Sequence, residues 1–226
     1  MQTITFRAQQ PKKPHTISLH GFPAVRSQQN RFYADLIAKD LSRDCTVLLY
    51  DGLGFSPGVF SFKETLKEVD AYFSKFELAK DEKVDLLGHS WGGFLSLYLT
   101  SRYPERIGRL VLMSPLLEFG QAAQSRVELE KTAASNPQLK LADKLAEDFE
   151  WVGRTHPTAP MIQAIPESVK VTFLQAQSDQ ITPAQIAQAM LKNFKVAPVF
   201  ELLDTDHSFI ENRSQNAAKI LLGLQR

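Results

Sequence analysis

Hydrophobic and polar residues alternate with period two from Thr3 to Ala8, the spacing of a short half-buried strand. Thr16 to Leu19 reads as a second strand, stopped by His20-Gly21-Phe22-Pro23. Gln29 to Leu41 changes period, with Phe32, Leu36, Ile37 and Leu41 on one helical face. Thr46 to Tyr50 is an apolar run of buried-strand type, and Asp51-Gly52-Leu53-Gly54 is its exit turn. Phe62 to Phe76 is amphipathic, with Leu66, Val69, Phe73 and Phe76 at helical spacing. Then come a strand over Val84 to Leu87, an apolar helix from Trp91 to Leu99, and a strand over Leu110 to Met113. The last third repeats the pattern: strand Val171 to Gln175, helix Pro183 to Asn193, strand Pro198 to Leu203, helix Phe209 to Leu224. Strands alternating with helices of this length predict right-handed crossovers and an α/β fold with a mostly parallel sheet.

Residues 116–166 break that rhythm. They are helical in composition from Gln121 to Ala134 and from Leu139 to Val152, then spotted with Pro157, Pro160 and Pro166. The expectation is a core of residues 1–115 and 167–226, with 116–166 as a small helical lid over the strand ends. The plainer alternative is a crossover that has grown long.

A strand, a sharp turn and a helix meet at Gly88-His89-Ser90-Trp91-Gly92, with a serine at the apex. Glycines on either side leave room for a strained turn that lifts the Ser90 hydroxyl off the sheet edge. With 11 Gly and 16 Ser in the 226 residues, composition alone supplies about 0.04 copies of the pattern. The motif is therefore suggestive, but an idle serine in a glycine-rich turn is not excluded until it has partners.

A serine needs a base, and histidine titrates near working pH. Five are available: His15, His20, His89, His156 and His207. His207 alone follows the last strand, in a loop expected at the same sheet edge as Ser90. His89 adjoins Ser90, and neighbours on such a turn point apart. The base in turn needs an acid to fix its tautomer. Asp179 follows the strand Val171 to Gln175 and ranks first; Asp204 is second, and Asp206 is too close in sequence to His207 to face its ring. Plain turn or capping roles remain open for Asp179 and His207. For an oxyanion, the backbone N–H groups of Phe22 and Trp91 are the candidate donors; Pro23 has none to offer. Serine, acid, histidine is the chain order of the nucleophile-elbow hydrolases.

With these pieces the chain resembles the α/β-hydrolase superfamily, of the kind that includes small carboxylesterases and carbon–carbon bond hydrolases. The matching segments are His20-Gly21-Phe22-Pro23, Asp51-Gly52-Leu53-Gly54-Phe55-Ser56, Gly88-His89-Ser90-Trp91-Gly92-Gly93, Arg102-Tyr103-Pro104-Glu105-Arg106, Asp179 and His207. The resemblance implies an eight-stranded sheet, no cofactor, and a lid where 116–166 lies. The chain looks one strand short at its start, so about seven to eight strands are expected. Some relatives carry the acid after the strand that here is Leu110 to Met113; this chain has Ser114-Pro115 there, which favours Asp179. Dehalogenases and epoxide hydrolases of this fold use an aspartate at the nucleophile position, and Ser90 argues against both.

Composition narrows the setting. Net charge is +1, which gives no reason to expect nucleic acid or an anionic membrane as partner. Cys45 is the single cysteine, so no internal disulfide can form, and burial is its simplest role. Met1 to Gln10 lacks an apolar signal core, and no apolar run reaches about 18 residues. A soluble, cytoplasmic protein is expected, with no metal. Its substrate would be a small molecule with an apolar group, held among Phe22, Trp91, Leu116, Phe119, Trp151 and Met161, each of which could equally be core. The expected reaction is hydrolysis of a carboxylic ester or related acyl bond through an acyl-enzyme on Ser90. Carbon–carbon bond hydrolysis or acyl transfer with the same residues is the alternative, and a non-catalytic binding protein of the same fold comes third.

Overall fold

The computed structural model describes residues 1–22, 27–50, 59–119, 131, 134 and 145–226. Seven strands form one sheet in these regions: β1 (Gln2–Phe6), β2 (His15–Leu19), β3 (Cys45–Leu49), β4 (Val84–His89), β5 (Ile107–Met113), β6 (Lys170–Ala176) and β7 (Val199–Leu203). Their order is β1-β3-β2-β4-β5-β6-β7. Only β1 runs antiparallel, on β3; the remaining pairs are parallel. The sheet is thus the mostly parallel one expected, with seven strands rather than eight among the described residues.

Burial follows the sequence pattern. Every residue of β3 and β4 is buried, as the unbroken apolar runs demand of central strands covered on both faces. At the sheet's edge, β1 is only partly covered: Gln2 and Thr3 are exposed and Ile4 to Phe6 half-buried. The covering helices are α1 (Ser27–Asp40), α2 (Phe62–Lys75), α3 (Trp91–Arg102), α4 (Leu145–Thr155), α5 (Thr158–Ala164), α6 (Ala184–Leu191) and α7 (Arg213–Gln225).

Two cores result, one on each face. Tyr33, Ile37, Val47, Leu87, Val111, Phe209 and Ile220 join α1 and α7 to one face. Phe62, Val69, Trp91, Phe94, Leu112, Phe149 and Ile162 join α2, α3, α4 and α5 to the other. Cys45 is fully buried, and burial pushes its thiol well above the ordinary range, so it is an inert core residue.

Segment 116–166 is only partly described. Leu139 to Val152 was expected as one helix; α4 covers its second half and continues to Thr155. The helix expected over Gln121 to Ala134 lies outside the described residues, apart from 131 and 134, as do Pro23 and the Asp51 to Ser56 turn. α4 docks on the start of α2: Ser61 donates to the Asp148 carboxylate, Phe62 meets Phe149 at 5.0 Å, and the Lys63 ammonium lies 4.7 Å from the Trp151 ring. Among the described residues, no helix is long and apolar enough to cross a membrane.

Candidate active site

Parallel strands send their outgoing loops to one edge of the sheet. Among the described residues, the loops after β2, β4, β5, β6 and β7 meet at the end of β4. The β2 connection runs to β3 on one side and the β4 connection to β5 on the other, so the loops part between these two strands, where open α/β sheets place ligands.

Ser90 occupies the turn between β4 and α3 with φ 53° and ψ −118°. A non-glycine residue there stores roughly 1–3 kcal/mol of strain, and the surroundings impose it. The Ser90 N–H donates to the Met113 carbonyl at 3.0 Å, while the Ser90 carbonyl accepts from Gly93, Phe94 and Leu116. The glycines of the motif are close-approach positions. A Cβ on Gly88 would stand 2.3 Å from Ser96 Oγ, and one on Gly92 would stand 2.1 Å from the Leu19 carbonyl oxygen. A serine at a helix N-cap ordinarily accepts from a first-turn N–H. Ser90 makes no such bond, and its hydroxyl lies 3.0 Å from His207 Nε2.

His207 follows β7, and its Nδ1 lies 2.7 Å from Asp179 Oδ2. The acid is held from several sides. Its Oδ1 accepts the N–H groups of Ile181 at 2.9 Å and Thr182 at 2.8 Å. Its Oδ2 also accepts from the Thr182 hydroxyl at 2.8 Å and the Gln175 amide at 3.3 Å. Burial alone would raise this carboxyl. The bond and charge of His207, with the bonds from Thr182 and Ser114, more than offset that and hold it well below the usual carboxylate range. Turn-capping and pairing with histidine were competing readings of Asp179. It does both, one with each oxygen.

The rivals are engaged elsewhere. Asp206 Oδ1 accepts from the Ile210 N–H, and the Asn212 amide donates to the Asp204 backbone carbonyl and, at 3.5 Å, to its Oδ2. His15 bonds Thr46, His156 packs against Tyr98 and Trp151, and His20 stacks on Tyr50.

The two residues expected to supply oxyanion donors lie in the segments next to the serine. Trp91 is the first residue of α3, where an N–H has no partner within the helix and the helix dipole favours negative charge. Phe22 follows Gly21, and a Cβ on Gly21 would stand 3.0 Å from Ser90 Cβ, so this loop runs against the elbow. The six residues expected to hold an apolar group all join the core on this face: Trp91 and Met161 buried, Phe22, Leu116, Phe119 and Trp151 packed against it. Phe22, Phe60, Phe62, Trp91, Phe94, Phe119 and Phe149 form one continuous aromatic cluster. Trp151 faces Lys63 and His156 at its margin.

Sequence reasoning missed Thr182, Gln175 and Ser114. Only Thr182 left a signal: Asp-x-x-Thr before a proline-initiated helix is a local capping pattern. Ser114, which bonds the Ala176 N–H, and Gln175, which bonds the Thr182 carbonyl, depend on strand order and leave none.

A family model for the alpha/beta hydrolase fold matches residues 14–158. The chain belongs to the alpha/beta hydrolase family. Within that family it is 32% identical over 114 residues to a proline iminopeptidase of Lactobacillus helveticus, covering 46% of this chain and 37% of that protein. It is 32% identical over 119 residues to a 1-acylglycerol-3-phosphate O-acyltransferase of Rattus norvegicus, covering 50% of this chain and 32% of that protein. The chain thus spans about a third of the length of these curated relatives. The crystal structure of Paleococcus ferrophilus monoacylglycerol lipase has the same fold, with a TM-score of 0.70 at 17% identity over 100% of both chains.

Proposed function

We propose that this alpha/beta hydrolase is a serine hydrolase that cleaves a carboxylic ester, or a related acyl bond, of a small molecule. The observation that carries the reading is the unbroken line from Ser90 Oγ through the His207 ring to Asp179, at 3.0 and 2.7 Å. Asp179 accepts the Nδ1 hydrogen of His207, which leaves Nε2 free to take a proton. As Ser90 Oγ attacks the carbonyl carbon, its proton passes to Nε2. The carbonyl oxygen becomes an oxyanion facing the N–H groups of Phe22 and Trp91. Collapse expels the alcohol, which takes the proton from Nε2 and leaves an acyl-Ser90 ester. Water, deprotonated by the same nitrogen, then releases the acid.

Residues 116–166 serve as a lid in this reading, anchored through α4 on Ser61 and Phe62. The apolar part of the substrate lies against the aromatic cluster that begins at Phe22 and Trp91. A cytoplasmic setting fits a lone, buried, unpaired cysteine. Similarity to a 1-acylglycerol-3-phosphate O-acyltransferase supports acyl transfer as the second reading, with an alcohol replacing water in the last step.

The test is labelling by a fluorescent fluorophosphonate together with turnover of a panel of short esters. Wild type should label and turn over, and Ser90→Ala should lose labelling and roughly 10³- to 10⁶-fold in rate. Undiminished turnover in that variant would sink the assignment of the nucleophile. Product analysis with added alcohol separates hydrolysis from transfer.

A further inference from the structure

We propose that His89 is a positioning residue, the piece that locks the loop carrying His207 onto the nucleophile elbow; the proposal rests on the reading of Ser90 and His207 given above. His89 ends β4, immediately before Ser90, and is 1% exposed. Its Nε2 lies 2.7 Å from the backbone carbonyl oxygen of His207, a residue 118 positions away. A carbonyl can only accept, so Nε2 carries the hydrogen. The ring also packs 5.1 Å from the His207 ring and meets Phe209 edge-on at 5.8 Å. On its other side, Nδ1 would lie 3.1 Å from a Cβ built on Gly21. One ring therefore touches the base loop and lies alongside Gly21, and it is joined covalently to the nucleophile.

The loop after β7 has need of such a fixture. Phe209 and Asn212 both adopt left-handed backbone, φ 55° and 51°, each at a cost of roughly 1–3 kcal/mol. Other bonds hold its far part: Tyr33 donates to the Phe209 carbonyl and the Thr205 hydroxyl to the Glu211 carbonyl. The His89 bond acts on the His207 peptide itself, whose side chain must keep Nε2 at 3.0 Å from Ser90 Oγ. A displacement of about 1 Å at such a distance costs on the order of 10²-fold in rate. His89 acts through His207 and touches no reacting atom.

Three variants and one spectrum test this. His89→Gln keeps an N–H donor near the position of Nε2. His89→Asn holds its amide one methylene short, and His89→Leu has no donor. On a short-chain ester, kcat should fall roughly 10- to 100-fold in His89→Leu and His89→Asn with KM within about twofold. His89→Gln should stay within about threefold of wild type. Fluorophosphonate labelling rates should follow kcat, and melting temperatures should not. If His89→Leu does not fold, the Gln and Asn pair carries the comparison. Equal loss in Gln and Asn, or wild-type kcat in a folded His89→Leu, overturns the proposal. The imidazole nitrogen-15 spectrum of wild type reads the tautomer without turnover: Nε2–H is expected for His89, and Nδ1–H overturns the proposal even if Ser90 labels normally. Failure of wild type to label, with the Nε2–H tautomer present, would instead count against the hydrolase reading, and against any catalytic role for the lock.

Discussion

Among the described residues, Asp179 and Asp85 have wholly buried carboxylates, and their surroundings drive them in opposite directions. Asp179 sits where loops converge at the C-terminal edge of the sheet. Two backbone N–H groups, a hydroxyl, an amide and the His207 ring surround it, and its carboxyl is held well below the ordinary range. Asp85 lies on β4 near the opposite edge, with full charges as partners: Arg43 at 3.0 Å and Arg109 at 3.7 Å. Burial nevertheless pushes Asp85 up to about 6, because Arg109 and Arg43 only partly offset the lost hydration. The His207 ring and several short dipoles aimed at the oxygens together stabilise a buried anion better here than two guanidiniums, one of them at 3.7 Å. Arg43 also donates to the Leu224 carbonyl and Arg109 to that of Gln225, so the Asp85 cluster fastens the end of α7. In the proposed mechanism one carboxylate keeps its charge for chemistry; the other helps tie a helix to the sheet.

Neutral isosteres break the comparison most sharply. Asp179→Asn removes the acceptor that fixes the His207 tautomer, and kcat should fall on the order of 10⁴-fold. Asp85→Asn should leave kcat within about twofold of wild type, since Asp85 touches none of the reacting groups. Steady-state kinetics on one ester checks both, and comparable losses would mean that the two sites are coupled.

The effect of pH on stability should also differ in sign. For Asp179 the native pKa lies below the unfolded value of about 3.9. Its contribution is therefore present above that value and is lost as pH falls toward the native pKa. For Asp85 the native value of about 6 lies above the unfolded one, so the native state binds the extra proton between roughly 4 and 6. Its contribution to stability is greatest at the acid end of that window and declines as pH rises through about 6. Urea midpoints across this range should give a wild-type minus Asp85→Asn difference that grows as pH falls from 7 to 4. A flat difference would show that Asp85 is not the group titrating there.

The two sites also differ in how far the sequence exposes them. Ser90, Asp179 and His207 could be found because each follows a strand, and strands announce themselves by apolar runs. Parallel order then brings their loops to one edge. The Asp85–Arg43–Arg109 cluster left no comparable mark, since Asp85 sits inside the apolar run of β4 and its partners come from other segments. Element ends moved for identifiable reasons. Strand β5 begins at Ile107, before the predicted Leu110, because Gly108 and Arg109 interrupt the apolar run while the pairing with β4 continues across a register shift between Val84 and Asp85. Helix α7 begins at Arg213 and not Phe209, because the backbone of Phe209 and Asn212 is left-handed. The Phe209 backbone answers to Tyr33 and His89, which no local window contains, while Asn212 bonds the nearby Asp204.

The smallest expected effect sharpens the comparison by removing a single donor. In Thr182→Val the hydroxyl on Asp179 Oδ2 is lost while the backbone N–H on Oδ1 remains. A hydrogen bond to a charged group contributes about 1.5–3 kcal/mol, and this one acts only on the ionised carboxylate. The native pKa of Asp179 should rise, so Thr182→Val should be less stable than wild type at pH 7 and nearly equal to it once the carboxylate is protonated. With the other donors and the His207 contact in place, kcat should fall only about three- to tenfold. Stability loss that persists in an Asp179→Asn background would assign the effect to packing of the Thr182 side chain. A loss that disappears in that background would identify the donors on Asp179, rather than its depth in the fold, as what separates it from Asp85.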